Sequence, residues 1–177
     1  MAGTMPNLFG VAGKNVLVTG GSRGIGLMIA QGFASSGANV LLTSRDEKAC
    51  KEAAAVVGKD CLYVTSNVST RDGCKALATH TSQVFNGKLD VLVNNAGASW
   101  GEPLERESGK MNWGWDKVLD LNVKGMFYLI RECTPMLERE RVEIDDGRGL
   151  VTQTADDPGR IINIGSVAGL LSPEGPT

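Results

Sequence analysis

Between the apolar run Val16-Leu17-Val18 and a helical pattern that begins near Ile25 stands the segment Thr19-Gly20-Gly21-Ser22-Arg23-Gly24-Ile25-Gly26. A strand that turns through such a segment and enters a helix at once has few architectures open to it. Glycines let the backbone turn sharply and come close to a ligand. The free N–H groups and positive dipole end of the following helix then face an anion, and a diphosphate suits that geometry. The spacing is Gly-x3-Gly-x-Gly, not the G-x-G-x-x-G of ordinary two-domain dehydrogenases. Alone, a glycine cluster says little. Set between strand and helix, it predicts a βαβ unit that holds a nucleotide phosphate.

The rest of the chain keeps the same alternation. Strands are predicted at Asn15–Thr19, Asn39–Thr43, Cys61–Thr65, Val91–Asn94 and Arg160–Ile164. These are unbroken Val/Ile/Leu runs, as parallel strands buried on both faces require. A first helix carries Ile25, Met28, Ile29 and Phe33 on one side and ends at Ser35-Ser36-Gly37. Asp46 caps a second over Lys48–Val57, closed by Gly58. A third spans Arg71–Phe85, and a long fourth runs from Trp113 to Arg141 with two apolar stripes, one through Trp115, Val118, Asn122 and Met126 and another through Leu119, Val123, Phe127, Ile130 and Leu137. Two stripes suggest burial on two sides, against the sheet and against another subunit. The order predicts an α/β, doubly wound parallel sheet of about five strands, Rossmann-like, in a single domain over residues 1–177. Residues 142–159 are acidic, turn-rich and longer than most connections, and read as an exposed excursion.

A net charge of −2 with interspersed signs argues against nucleic acid or an acidic membrane as the main partner. Cys50, Cys61, Cys74 and Cys133 form no C-x-x-C pair and read as reduced thiols. His80 is the single histidine, which removes a Ser-His-Asp triad and a histidine metal site from consideration. The start carries no apolar run of signal-peptide length and no arginine-rich amphipathic pattern, and no segment is long and apolar enough to span a bilayer. The cytoplasm is the expected compartment.

Four places could carry chemistry. Arg45 follows the second strand, where the adenosine ribose of a dinucleotide would lie. A carboxylate there suits the 2′-hydroxyl of NAD, and a basic residue suits the 2′-phosphate of NADP. Arg23 in the turn offers a second cation. The opposing reading makes Arg45 a solvated charge and Asp46 the ribose ligand, but Asp46 is better explained as a helix cap, so NADP is the expected cofactor. Asn94-Asn95-Ala96-Gly97 ends the fourth strand with small and amide residues that let the backbone approach a cofactor, though a simple turn would look the same. Asn122 is an amide in an apolar stripe and must be hydrogen-bonded there, whether as a core amide or as a site residue. Ser166, in Ile164-Gly165-Ser166-Val167, would emerge at the same sheet edge as the glycine turn. With no histidine beside it, it is either turn chemistry or a donor to a substrate carbonyl.

Together these residues resemble the short-chain dehydrogenase/reductase family along essentially the whole chain. T-G-G-S-R-G-I-G, N-N-A-G, L-N-V and I-G-S-V-A-G stand in that family's order and approximate spacing. Ala98-Ser99-Trp100-Gly101 and the run from Asp157 to Asn163 look most like its 3-oxoacyl-thioester (acyl-carrier-protein) reductase branch, including forms linked to rhamnolipid synthesis. The resemblance implies an NADP(H)-dependent reductase moving a hydride between nicotinamide and a small-molecule carbonyl or alcohol, a 3-oxoacyl thioester type substrate, and a homo-oligomer in the full-length form. It implies that Gly20, Ser22, Arg23, Gly24, Ile25 and Gly26 line the diphosphate turn and that Arg45 meets the 2′-phosphate. Asn67-Val68 occupies the place where the family usually has Asp-Val touching adenine, and the asparagine keeps an acceptor while losing a charge. Asn95, Ala96 and Gly97 would border the nicotinamide ribose, and Asn122 and Ser166 match two members of the family's Asn-Ser-Tyr-Lys set.

The other two members, a Tyr-x-x-x-Lys pair, do not occur: Tyr63 lies in the third strand and Tyr128 in the long helix. In the family the tyrosine is the general acid, and losing such a group typically costs about 10²–10⁴ in rate. The chain is therefore expected to be C-terminally incomplete, lacking the last strands of the sheet and leaving an apolar edge unpaired. The alternative is a non-catalytic NADP(H)-binding remnant or pseudoenzyme.

Overall fold

A computed structural model describes residues 10–100, 113–139, 141–145, 147, 150–154 and 157–167. Residues 1–9, on which the reading of the chain's start rests, lie outside the described residues, as do Gly101, Ala168 and Gly169 of the family motifs. Five strands form one wholly parallel sheet: β1 (Asn15–Thr19), β2 (Asn39–Ser44), β3 (Leu62–Thr65), β4 (Val91–Asn94) and β7 (Arg160–Asn163), in the order β3-β2-β1-β4-β7. The chain winds outward from β1 through β2 to β3, then crosses back to lay β4 on the other side of β1. That reversal opens a crevice between the carboxyl ends of β1 and β4, where open α/β sheets bind ligands.

Strand alternation divides the core into two layers. Leu17, Leu41 and Leu92 face α3 (Arg71–Val84) and α5 (Met126–Leu137), packing with Leu77, Ala78, Leu129, Cys133 and Met136. Val16, Val18, Val40, Leu42, Val91 and Val93 face α1 (Gly24–Ser35) and α2 (Glu47–Val57), packing with Ala30, Cys50, Ala53 and Ala54. With both faces covered, the strands need no polar alternation. The doubly wound sheet is thus present as expected. Asp46 does cap α2, accepting from Ala49 N at 3.0 Å, and Gly58 with φ +147° closes it.

Three local expectations fail. In α1 the buried positions are Gly26 and Ala30, while Ile25 and Met28 are 58% and 61% exposed. Small residues let this helix lie close to the sheet; Leu27, Ile29 and Phe33 still pack against the core, while Ile25 and Met28 face outward. The long fourth helix is three pieces: α4 (Trp113–Leu119), a π-helical turn over Asp120–Gly125, and α5. The extra residue in the π turn rotates the faces out of register, so neither stripe is buried along its length: Trp115, Val123 and Phe127 stand in solvent, and the buried positions are Gly125, Leu129, Cys133, Met136 and Leu137. Beyond α5 the helix does not reach Arg141. Instead β5 (Arg141–Asp145) pairs antiparallel with β6 (Leu150–Thr154) in a two-stranded hairpin inside the stretch read as an excursion. Val142 and Ile144 alternate with charged residues, which is strand periodicity, and Gly147 with φ +82° lies between the two strands.

The base of this hairpin is pinned at the amino edge of the sheet. Asp90 is 2% exposed and accepts from Asn15 N and from Arg139 Nη2, each at 2.8 Å. The same guanidinium reaches Leu89 O at 3.0 Å and Asp157 O at 3.2 Å. Asp157 pairs in turn with Lys14 and, at 3.0 Å, with Arg160, and these hydrogen bonds hold its carboxyl below the ordinary carboxylate range. Ile161 and Ile162 of β7 remain 42% and 39% exposed.

Candidate nucleotide-binding site

The crevice between β1 and β4 is stitched by one hydroxyl and one amide. Thr19, last residue of β1 and 2% exposed, donates to Val93 O at 3.2 Å and accepts from both Asn95 N and Ala96 N at 3.0 Å. Asn95 returns the contact, its Nδ2 donating to Thr19 O at 3.0 Å and Gly20 O at 3.3 Å. The glycine turn and the Asn95-Ala96-Gly97 loop are therefore one hydrogen-bonded unit. Thr19 was not singled out from the sequence. Its signal was a hydroxyl closing a run of valine and leucine, at a position where a buried polar group must find partners.

Two glycines of the turn are required by space. Gly20 takes φ +64°, and a Cβ there would sit 3.0 Å from Asn95 Nδ2 and from Ala96 Cα. A Cβ on Gly26 would collide with Gly20 O and Asn95 Nδ2. The turn is thus folded onto the loop after β4 and leads into α1 without a side-chain cap or an acidic residue in the first turn. By contrast α2 and α3 carry caps from Asp46 and Thr70 and acids at Glu47 and Asp72. The first N–H groups of α1 are left for an anion.

Around this turn the cations are uncommitted. Arg23, at the N-cap, and Arg45, just past β2, are exposed and have no hydrogen-bond or ion-pair partner among the described residues. Asp46 is spent on α2. Ser22, Gly24 and Ile25 lie in the same turn between Gly21, whose N–H donates to Thr43 O at 3.1 Å, and Gly26.

Past β3, Asn67 shapes its own loop. Its Oδ1 accepts from Ser69 N at 3.3 Å and from Ser69 Oγ at 2.8 Å. Val68 is nearly buried, and its carbonyl accepts from Cys74 Sγ at 3.3 Å. Burial, aided by the charge of Glu132, pushes the Cys74 thiol up to about 11, and burial pushes Cys133 up to about 12. Both thiols are protonated at neutral pH and act as small core groups. All four cysteines are free.

Asn122 lies in the π turn. Its Oδ1 accepts from Ala98 N at 2.9 Å and its Nδ2 donates to Ala98 O at 2.8 Å, so the amide clamps the backbone one residue past Gly97. Gly125, at the end of the same turn, abuts Val68 O so closely that a Cβ would collide with it. One π turn therefore touches both the loop after β4 and the loop after β3. Trp100 lies against Gly114, with the Lys117 ammonium 5.6 Å from its ring centroid. Ser166 is exposed beyond β7. It is brought to the same edge because Asn94 Nδ2 donates to Asn163 Oδ1 and Ile164 N to Asn94 O, each at 2.9 Å. The sequence-predicted residues thus collect along one edge, with Arg45 and Asn67 at one end and Asn122 and Ser166 at the other. Among the described residues no group of three or more His, Cys, Asp or Glu could hold a metal ion, and no helix is long and apolar enough to cross a membrane.

Comparison with known proteins identifies the family and the fold. The family profile described as short chain dehydrogenase matches residues 14–176. The rhamnolipids biosynthesis 3-oxoacyl-[acyl-carrier-protein] reductase of Pseudomonas aeruginosa is 42% identical over 164 residues, covering 92% of this chain and 58% of its own. The 3-oxoacyl-[acyl-carrier-protein] reductase FabG of Staphylococcus aureus is 37% identical over 164 residues, covering 89% of this chain and 64% of its own. The solved RhlG/NADP active-site complex of Pseudomonas aeruginosa superposes with a TM-score of 0.80 at 40% identity, over 97% of this chain and 62% of that one. The chain thus spans about three fifths of the length of these relatives.

Proposed function

This chain belongs to the short-chain dehydrogenase family, and on that premise we propose that it is the nucleotide-binding part of an NADP(H)-dependent reductase acting on a 3-oxoacyl thioester. One observation carries the choice of nucleotide. Arg23 and Arg45 flank the glycine turn without a partner among the described residues, while Asp46, the carboxylate next to Arg45, is committed to capping α2. A guanidinium pair left open beside an uncapped helix suits a 2′-phosphate, for which charge-assisted bonds are the strong ones. The cradle fits a dinucleotide diphosphate because Gly20 and Gly26 keep side-chain bulk out of the turn.

When bound, NADPH supplies the hydride for reduction of a carbonyl. The residues of this chain bind and orient it. Gly20, Ser22, Arg23, Gly24, Ile25 and Gly26 receive the diphosphate, Arg45 the 2′-phosphate, and Asn67-Val68 the base. Asn95, Ala96 and Gly97 border the nicotinamide ribose, in a loop that Thr19 and Asn122 hold in place. Ser166 donates to the substrate carbonyl. No Tyr-x-x-x-Lys occurs in the 177 residues, since Asn67 follows Tyr63 and Glu132 follows Tyr128 at the fourth place. With no general acid of that kind, these residues alone should bind nucleotide without turnover.

Titration of the purified chain with NADPH, followed by nucleotide fluorescence, tests this. Saturable binding well below millimolar is expected, with no sustained NADPH oxidation on adding an acetoacetyl thioester. Binding weaker than millimolar would overturn the nucleotide site, and steady oxidation would overturn the assignment of these residues to binding alone.

A further inference from the structure

The loop after β4 is fixed at three points along its length. Thr19 Oγ1 accepts from Asn95 N and Ala96 N at its start, and the Asn122 amide clamps the main chain of Ala98 at its middle. The third point is packing. Two residues past Ala98, the Trp100 indole lies so close over Gly114 that a Cβ there would fall against Cδ1, Nε1 and Cγ of the ring. Gly114 is buried, and Lys117, three residues on and so on the same face of α4, brings its ammonium to 5.6 Å from the ring centroid. Bare helix backbone followed by a cation is a seat that suits a flat aromatic ring.

This contact does not serve the core. Trp100 belongs to neither buried layer and is 44% exposed. It serves α4, which among the described residues packs extensively only on the π turn that it runs into. The indole therefore ties the start of α4 to the far end of the loop, and Asn122 in the π turn ties the end of α4 to the middle. Loop and helix brace each other at the carboxyl end of β4, on the side of the β1–β4 crevice away from Arg45 and Asn67.

We propose that Trp100, seated on Gly114, is a positioning residue for the nicotinamide half of the dinucleotide: it sets Asn95, Ala96 and Gly97 in the arrangement that borders the nicotinamide ribose. This rests on the proposed nucleotide site and adds to it a residue whose effect is confined to one half of the ligand. Two substitutions break the contact from opposite sides. Trp100→Ala removes the ring, and Gly114→Ala drives a methyl group into its seat. Gly114 has no positive φ, so alanine brings no backbone strain there and, as the better helix former, favours α4. Gly114→Ala therefore separates the contact from the helix, and carries the test where Trp100→Ala fails to fold. Trp100→Phe keeps a ring over the glycine.

The test is calorimetric titration of the intact chain with NADPH and with adenosine 2′,5′-bisphosphate, which carries the base and the 2′-phosphate but no nicotinamide, on the wild type and the three variants. A loop that keeps its binding arrangement for only a fraction of the time raises Kd by the inverse of that fraction. NADPH should bind roughly three- to tenfold more weakly to Trp100→Ala and Gly114→Ala, and Trp100→Phe should recover most of the loss. Adenosine 2′,5′-bisphosphate should stay within about twofold of its wild-type affinity throughout. A loss shared equally by the two ligands would make Trp100 a residue of general stability and overturn the proposal, as would unchanged NADPH affinity in both alanine variants. Either result leaves the nucleotide site standing, since the wild type still binds NADPH. Failure of the wild type to bind either ligand would overturn the site and the positioning role together.

Discussion

Thr19 does more per atom than any other side chain at the site. Its hydroxyl accepts two main-chain N–H groups, from Asn95 and Ala96, and donates to Val93 O. Thr19→Val keeps the shape and leaves two N–H groups without their partner, each costing about 1–3 kcal/mol when buried. The variant should therefore lose stability by about 2–5 kcal/mol in urea unfolding, and should bind NADPH more weakly wherever it remains folded, while Thr19→Ser should recover both. Equal NADPH affinity in the valine variant would detach this hydroxyl from the site. Residues of this kind explain what the sequence could show. Gly20, Gly26 and Asp46 were legible because backbone space and capping are local demands. Thr19 and the orientation of Asn67 were not, since each depends on which backbone group lies next to it once the chain is folded. For Asn122 the sequence left a satisfied core amide and a site residue as alternatives. The structure shows a satisfied amide that holds the backbone of Ala98, one residue past Gly97.

At the scale of elements, periodicity identified all five parallel strands within a residue or so of their ends, because runs buried on both faces are unbroken. It failed where one residue shifts a pattern. The π turn over Asp120–Gly125 inserts such a residue and sends Val123 and Phe127 into solvent. Its cause lies in tertiary contacts, Gly125 against Val68 O and Asn122 on Ala98, which no window of the sequence contains. The hairpin was hidden differently: five-residue strands among acids and turn residues read as loop until their alternation is weighed. Its base depends on Arg139, whose guanidinium, with 13% of its side chain exposed, joins Asp90 to the carbonyls of Leu89 and Asp157. Removing Arg139 takes the nearer of two cations from buried Asp90 and leaves Lys88 Nζ at 3.5 Å from its carboxylate, so the cost falls at the low end of what breaking a buried pair takes, about 3 kcal/mol. Arg139→Met should lower the urea midpoint accordingly. Because this node lies at the amino edge of the sheet, NADPH affinity below the transition should stay within about twofold. A midpoint unchanged by the substitution would show that Asp90 is satisfied without Arg139.

Across the whole molecule, the winding order fixes what any ligand at this edge must cross. From Ser166 beyond β7, over the β1–β4 crevice, to Arg45 and Asn67 beyond β2 and β3, each group sits at the carboxyl end of a different strand. A long, two-headed ligand is what such a row can hold, and the places proposed for its phosphates are those where the chain supplies N–H groups and guanidinium groups, with Asp46 turned to the cap of α2. The central claim is that Arg45 marks the 2′-phosphate end of that row. The most direct measurement is the ratio of Kd for NADH to Kd for NADPH, in the wild type and in Arg45→Asp. A charge-assisted contact is worth about 1.5–3 kcal/mol, so the wild type should favour NADPH by roughly 10- to 100-fold. Arg45→Asp should bring the ratio to one or invert it, as a carboxylate repels the phosphate and accepts from the 2′-hydroxyl. Equal affinity of the wild type for the two nucleotides, or a preference for NADPH that survives Arg45→Asp, would contradict the account.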